Sequence, residues 1–256
     1  PFFAFLNYYD AHHPYLAADP EAGAPFGTKP DSPRDFRLLK TWWERDKQGL
    51  DPADLDLARD SYDRCIAYLD DQLGRLFEGL KSRGELDRSV VIVTSDHGEH
   101  LGEHELYGHG CSVYRAELHV PLVIVGLGLG LEGRVIDQPV SLRDVPATVF
   151  DLARLAGKSP FPGRSLSETW TVEGIRPPFV LSEIESPPDD DPNRGRSPAS
   201  RGPMTSAVNG DYHYIKGGDG REELFDLRRD PAERDDLAAR PGLAAVLENF
   251  RAGLRR

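Results

Sequence analysis

Apolar positions along the chain fall into blocks with two different periods. Phe2–Tyr8 is a short run of aromatic and apolar residues and predicts a buried strand. It opens into Asp10-Ala11-His12-His13-Pro14-Tyr15, a polar segment closed by proline. Residues 17–35, rich in Pro, Gly and Ala, predict loop. From Asp51-Pro52 onward, Leu55, Ala58, Tyr62, Ile66, Leu69, Leu73, Leu76 and Leu80 recur at spacings of three and four. That period is helical, with Asp51 as N-cap, Pro52 in the first turn and a stop near Gly84. Ser89–Thr94 is then a β-branched run, which suits a parallel strand buried on both faces.

A second buried strand is expected at Pro121–Val125, a helix over Arg143–Ala156 and a short strand at Phe179–Glu183. Ser186–Pro203, rich in Pro, Asp, Arg and Ser, predicts an exposed loop. Thr205–Val208, Asp211–Lys216 and Glu223–Leu227 follow as short segments, divided by the turn signals Asn209-Gly210 and Gly217-Gly218-Asp219-Gly220. They predict a small antiparallel meander, closed by a helix over Gly242–Leu254. The plan is an α/β body over 1–181, then a loop and a small α+β end over 182–256. In such sheets ligands bind beyond the carboxyl ends of strands.

Composition narrows the class. The chain has 256 residues, 39% hydrophobic and 29% charged, which excludes collagen-like, coiled-coil and wholly disordered proteins. With 31 Lys+Arg against 43 Asp+Glu, the net charge is −12. The basic footprint of a nucleic-acid binder is missing, so an anionic substrate needs a local cationic site or a metal. No apolar run approaches the roughly 18 residues of a membrane span. Two cysteines, Cys65 and Cys111, exclude a disulfide scaffold and a four-cysteine zinc site. No signal peptide is visible, and a proline opening an apolar run predicts the later part of a longer protein, which leaves the compartment open.

The densest chemistry lies in Thr94–Gly110, which holds His97, His100, His104 and His109 with Asp96, Glu99, Glu103 and Glu105. Asp96 and His97 stand where a strand releases into a turn, and Gly98 removes bulk beside them. A carboxylate with an imidazole suits a divalent cation: Ca²⁺, Mg²⁺, Mn²⁺ or Zn²⁺. His104-Glu-Leu-Tyr-Gly-His109 is one residue too long for a zincin H-E-x-x-H. Gly128-Leu-Gly130-Leu-Glu-Gly133 matches G-x-G-x-x-G, but the extended segment behind it offers no helix N-terminus to a pyrophosphate. His12 and His13 lie beyond the first strand, where an imidazole can bind an anion or protonate a leaving oxygen. No serine sits in G-x-S-x-G, and no nucleophile is evident.

Several segments, in order, resemble the sulfatases. Asn7-Tyr-Tyr-Asp-Ala-His12-His-Pro14-Tyr resembles their P-H-x-P segment. Thr94-Ser-Asp-His-Gly-Glu-His-Leu-Gly-Glu-His104, Tyr107-Gly-His-Gly110 and Val120-Pro-Leu-Val-Ile124 resemble their T-S-D-H-G-E block and its continuation. Val140-Ser-Leu-Arg-Asp-Val-Pro-Ala-Thr148 is similar to their D-x-x-P-T helix start. Glu223-Leu-Phe-Asp-Leu-Arg-Arg-Asp-Pro-Ala-Glu233 is similar to their C-terminal E-L-Y-D-L-x-x-D-P-x-E signature.

The resemblance implies an alkaline-phosphatase-like α/β sandwich with a central, mostly parallel sheet and a small C-terminal antiparallel sheet and helix. It implies hydrolysis of sulfate esters of small molecules or carbohydrates, with a divalent metal, usually Ca²⁺. Asp96 and His97 match the family's later metal pair. His12 matches a histidine at the sulfate or leaving group, and His109 stands at a sulfate-binding lysine position. The family's nucleophile, a formylglycine from C/S-x-P-x-R, and its early acidic pair have no counterpart here, so this chain alone is expected to be inactive. Other expectations are a phosphonate or phosphodiester hydrolase, a phosphoethanolamine transferase, and a non-catalytic binding module.

Overall fold

The computed structural model describes residues 2–19, 27–47, 49–126, 129, 133–155, 157, 159–171, 179–189 and 195–255. The chain divides into two compact units, one ending at Ser89 and the other beginning at Val90.

Among the described residues, the first unit holds two α-helices, α1 (Pro33–Lys40) and α2 (Pro52–Ser82), and a 3₁₀ turn over Leu86–Arg88. Ser32 caps α1 through the Asp35 N–H, and the Asp35 carboxylate answers the Ser32 N–H. Asp51 caps α2 by accepting from the Ala53 N–H at 2.9 Å, with Pro52 in its first turn, as the sequence predicts. The buried face of α2 is confined to its first half, where Leu57, Ala58, Ser61, Arg64 and Cys65 are covered. Most of the later leucines of the stripe are half-buried, and Ile66 is exposed. Tyr15, Leu38, Leu39 and Trp42 are also buried in this unit.

Phe2–Tyr8 corrects the first expectation. It is not a strand, and Phe2, Phe3, Phe5 and Leu6 are exposed. Among the described residues no strand offers it a ladder, and without one a strand-like sequence stays extended in solvent.

The second unit holds the remaining elements: β1 (Val90–Thr94), β2 (His100–Leu101), β3 (Tyr107–Gly108), α3 (Arg115–Leu118), β4 (Leu122–Gly126), α4 (Val145–Leu152), α5 (Ser167–Thr171), β5 (Val180–Ile184), β6 (Met204–Val208), β7 (Tyr212–Lys216), β8 (Glu222–Asp226) and α6 (Ala244–Leu254). β1 pairs with β4 in antiparallel register, Val91 opposite Val125 and Val93 opposite Val123. The parallel, doubly buried strand expected at Ser89–Thr94 does not form, and Val90, Val123 and Val125 are exposed. A β-branched run sets extended backbone but not its neighbour's direction. Here the chain between Thr94 and Leu122 folds back on itself. α4 is shorter than the helix expected over Arg143–Ala156, because its first turn is the 3₁₀ segment Leu142–Asp144. The G-x-G-x-x-G stretch lies mostly outside the described residues.

β5–β8 form an antiparallel meander in sequence order, close to the expected segments. It is covered on both faces. Tyr214 and Leu224 pack with Leu237, Leu247 and Phe250, so α6 covers one face. Ile215, Phe225 and Met204 pack with Leu106, Val113 and Tyr114, so Leu106 before β3 and the loop between β3 and α3 cover the other. Alternation along β7 produces this: successive side chains point to opposite faces.

Candidate active site

The site is built where β1 ends. The Thr94 hydroxyl donates to the Pro121 carbonyl at 2.8 Å and ties the exit of β1 to the entry of β4. The chain then turns tightly, with Ser95 Oγ donating to the His97 carbonyl at 2.7 Å and the His97 N–H to Asp96 Oδ1 at 3.1 Å. The Gly98 N–H donates to the Glu117 carbonyl at 2.7 Å. Glycine is required there by close approach, since a Cβ would lie 2.0 Å from the Ala116 carbonyl oxygen.

This turn leaves the Asp96 side chain 88% exposed and the His97 side chain 36% exposed. His97 Nδ1 lies 2.8 Å from the Gly98 carbonyl. A carbonyl only accepts, so Nδ1 carries the proton and the lone pair of the neutral ring sits on Nε2. That atom is 3.8 Å from Asp96 Oδ2. Two electron-pair donors facing each other at that separation fit a shared cation, which at roughly 2.3–2.6 Å from oxygen ligands spans such a gap.

His109 stacks on His97, ring centroids 4.1 Å apart and planes 26° from parallel. Its Nδ1 lies 3.1 and 3.3 Å from the two oxygens of Glu99, whose side chain is buried. Burial lowers the His109 pKa, but the hydrogen bond and charge of Glu99 outweigh it, and the net shift is upward. The imidazolium form is thereby favoured, as an anion-binding group needs. Asp96, His97 and His109 are thus brought together in the second unit.

His12 belongs to the first unit. Its Nδ1 is 2.9 Å from the His13 carbonyl, and it lines a cleft of about 350 Å³ with Tyr9, Asp10, His13, Pro14 and Leu16. Cys65 is buried in α2, and burial pushes its thiol up to about 11, far from a reactive thiolate.

Behind the open pair lies a closed group that sequence reasoning missed. His100 Nε2 is 2.9 Å from Ser112 Oγ and 3.2 Å from Glu117 Oε1, and all three residues are buried. Cys111 Sγ donates to the same oxygen at 3.2 Å. The ligand atoms of His100, Cys111 and Glu117 lie within 4.8 Å of one another, so this trio too has metal-compatible spacing. Three backbone N–H groups, of Gly110, Cys111 and Ser112, already aim at the Glu117 oxygens. Their dipoles favour the bare carboxylate and oppose a cation there.

His104, at φ 53°, stacks flat on Tyr114 at 3.8 Å, and burial lowers its pKa. The Tyr114 hydroxyl donates to Glu223, and Glu233 accepts from the Arg115 N–H at 2.8 Å and from His213. The E-L-F-D-L-x-x-D-P-x-E segment is thus bonded at both ends to Tyr114 and Arg115, where the loop that carries His109 enters α3. Glu99 and Glu233 fall inside the motif segments and Glu117 does not, but the buried role of all three comes from tertiary contacts that spacing does not encode.

Comparison with known proteins agrees with this architecture. The chain is 29% identical to the multifunctional alkaline phosphatase superfamily protein PehA of Trinickia caryophylli, over 98% of this chain and 54% of that protein. It is 32% identical to arylsulfatase K of Bos taurus, over 70% of this chain and 33% of that protein. The structure of phosphonate monoester hydrolase SpPMH from Silicibacter pomeroyi superposes with a TM-score of 0.67 at 27% identity, covering 81% of this chain and 42% of that one. The chain therefore spans between a third and about half of the length of these proteins. Its fold is that of the alkaline-phosphatase-like sulfatases, α/β with a small antiparallel C-terminal sheet and helix. Members of that family generally bind a divalent metal. With the Sulfatase family model matching residues 1–155, the chain belongs to the sulfatase family.

Proposed function

We propose that this chain carries the metal-and-anion side of a sulfuric ester hydrolase. The observation that supports the reading most is the open Asp96–His97 pair with His109 stacked against it. In this reading residues 1–181 belong to the catalytic core and 182–256 to its loop and α+β subdomain. Asp96 and His97 would hold the divalent cation, with Ca²⁺ first among Ca²⁺, Mg²⁺, Mn²⁺ and Zn²⁺. That ion would supply positive charge beside the ester oxygens. His109, whose imidazolium form the Glu99 carboxylate favours, would contact the sulfate oxygens as a hydrogen-bond donor. His12 donates a proton to the leaving oxygen or holds it by hydrogen bonding. The formylglycine nucleophile is supplied by polypeptide outside these 256 residues. The substrate is a sulfate ester of a small molecule or carbohydrate.

The second reading is a phosphonate or phosphodiester hydrolase, supported by the likeness to SpPMH. The full-length protein should turn over 4-nitrophenyl sulfate faster than phenyl 4-nitrophenyl phosphonate, and a reversed preference selects the second reading. Asp96→Ala should remove most of the activity, and His12→Ala should lower kcat while leaving thermal unfolding near that of the parent. Parental rates in both variants would overturn the site. These 256 residues alone should show no saturable hydrolysis of either ester.

A further inference from the structure

Glu117 stands between the two halves of the site. Its side chain organises the loop that carries His109: Oε2 accepts from the Gly110 N–H at 2.8 Å, and Oε1 accepts from the Ser112 N–H at 3.0 Å and the Ser112 hydroxyl at 3.0 Å. Cys111 adds its N–H at 3.3 Å and its thiol at 3.2 Å. The Glu117 backbone carbonyl accepts from the Gly98 N–H, the amide next to His97. α3, on which Glu117 sits, is pinned in turn at its first residue by Glu233. Burial would raise the Glu117 pKa, but His100, Cys111 and the Gly110 N–H outweigh it and hold the group ionised.

We propose that Glu117 is a positioning residue that sets the Asp96–His97 turn and the His109 loop in one register, its carbonyl fixing the first and its carboxylate the second. The proposal rests on the reading of Asp96 and His97 as the cation pair. Only a carboxylate serves this place. Each of its oxygens faces a backbone donor, so an amide would turn its own NH₂ against either Gly110 or Ser112. The hydroxyl of Ser112 extends the same network to His100.

The test combines Ca²⁺ titration by calorimetry with amide ¹H–¹⁵N spectra of the same protein. Glu117→Gln should weaken Ca²⁺ binding by about tenfold, the scale seen when a ligand's supporting partner is lost. It should also shift the Gly98 amide resonance together with those of Gly110 and Ser112, while Tyr214 and Leu224 in the C-terminal sheet stay in place. Unchanged Ca²⁺ affinity with shifts confined to 110–112 would overturn it, since Glu117 would then support one loop only. If the Gln variant does not fold, Ser112→Ala replaces it, with the same pattern at about threefold in affinity. If Ca²⁺ binding is absent, or survives Asp96→Ala, the cation-pair reading fails by itself, and the Gly98 shift alone then decides whether Glu117 links the two segments.

Discussion

Asp96–His97 and His100–Glu117 are both carboxylate–imidazole pairs in one stretch of chain, yet they are physically opposite. The first is open: Asp96 is 88% exposed, and its carboxylate faces the lone pair of His97 at 3.8 Å. The second is closed: His100 and Glu117 are buried, and backbone donors converge on the carboxylate. Residue type therefore does not separate ligand site from scaffold here; the supply of protein donors does. A carboxylate already satisfied by N–H groups has little to offer a cation, whereas one turned to solvent beside a lone pair does.

The largest consequence concerns the closed pair. Glu117→Ala strips a buried carboxylate from five donors in the Gly110–Ser112 loop, and should cost about 3–5 kcal/mol in urea unfolding. A loss below about 1 kcal/mol would mean the network is not a scaffold. Next comes the open pair. Asp96→Ala should lower Ca²⁺ affinity by about 100-fold in a calorimetric titration, the upper end of what loss of a supporting group alone would do. Its effect on stability should be the reverse of Glu117→Ala, within about 0.5 kcal/mol, as for exposed positions free of buried partners.

A smaller effect sharpens the picture of the supporting sheet. Arg251 holds the Glu222 carboxyl at about 2, against burial that would raise it. A carboxyl depressed on folding stabilises fully above its unfolded value near 4.5, and that contribution fades as pH falls through about 2. Acid titration of the C-terminal sheet, followed by the Tyr214 amide, should show this loss between those limits, and Glu222→Gln should flatten it.

Much of the supporting sheet was legible in the sequence. Asn209-Gly210 and the Gly217–Gly220 turn separate segments whose alternation decides which face each side chain takes. The N-cap and Pro52 gave the start of α2 for the same local reason. What failed was long-range. Phe2–Tyr8 has strand composition but no ladder, and the β1 run could not reveal that β4 would approach it antiparallel. At the site, Asp96, His97 and His109 were marked by motif and lie together. Glu99 and Glu117 owe their roles to tertiary burial, which one-dimensional spacing does not encode.

One titration bears on the central claim, that the open pair and not the buried trio is the cation site. Ca²⁺ and then Zn²⁺ are titrated calorimetrically into the parent protein, Asp96→Ala and Cys111→Ser. The account predicts a single Ca²⁺ event that Asp96→Ala weakens about 100-fold and Cys111→Ser leaves within about twofold, since Sγ is a donor to Glu117 and not a ligand. Binding that survives Asp96→Ala and disappears with Cys111→Ser would place the metal in the buried trio and contradict it.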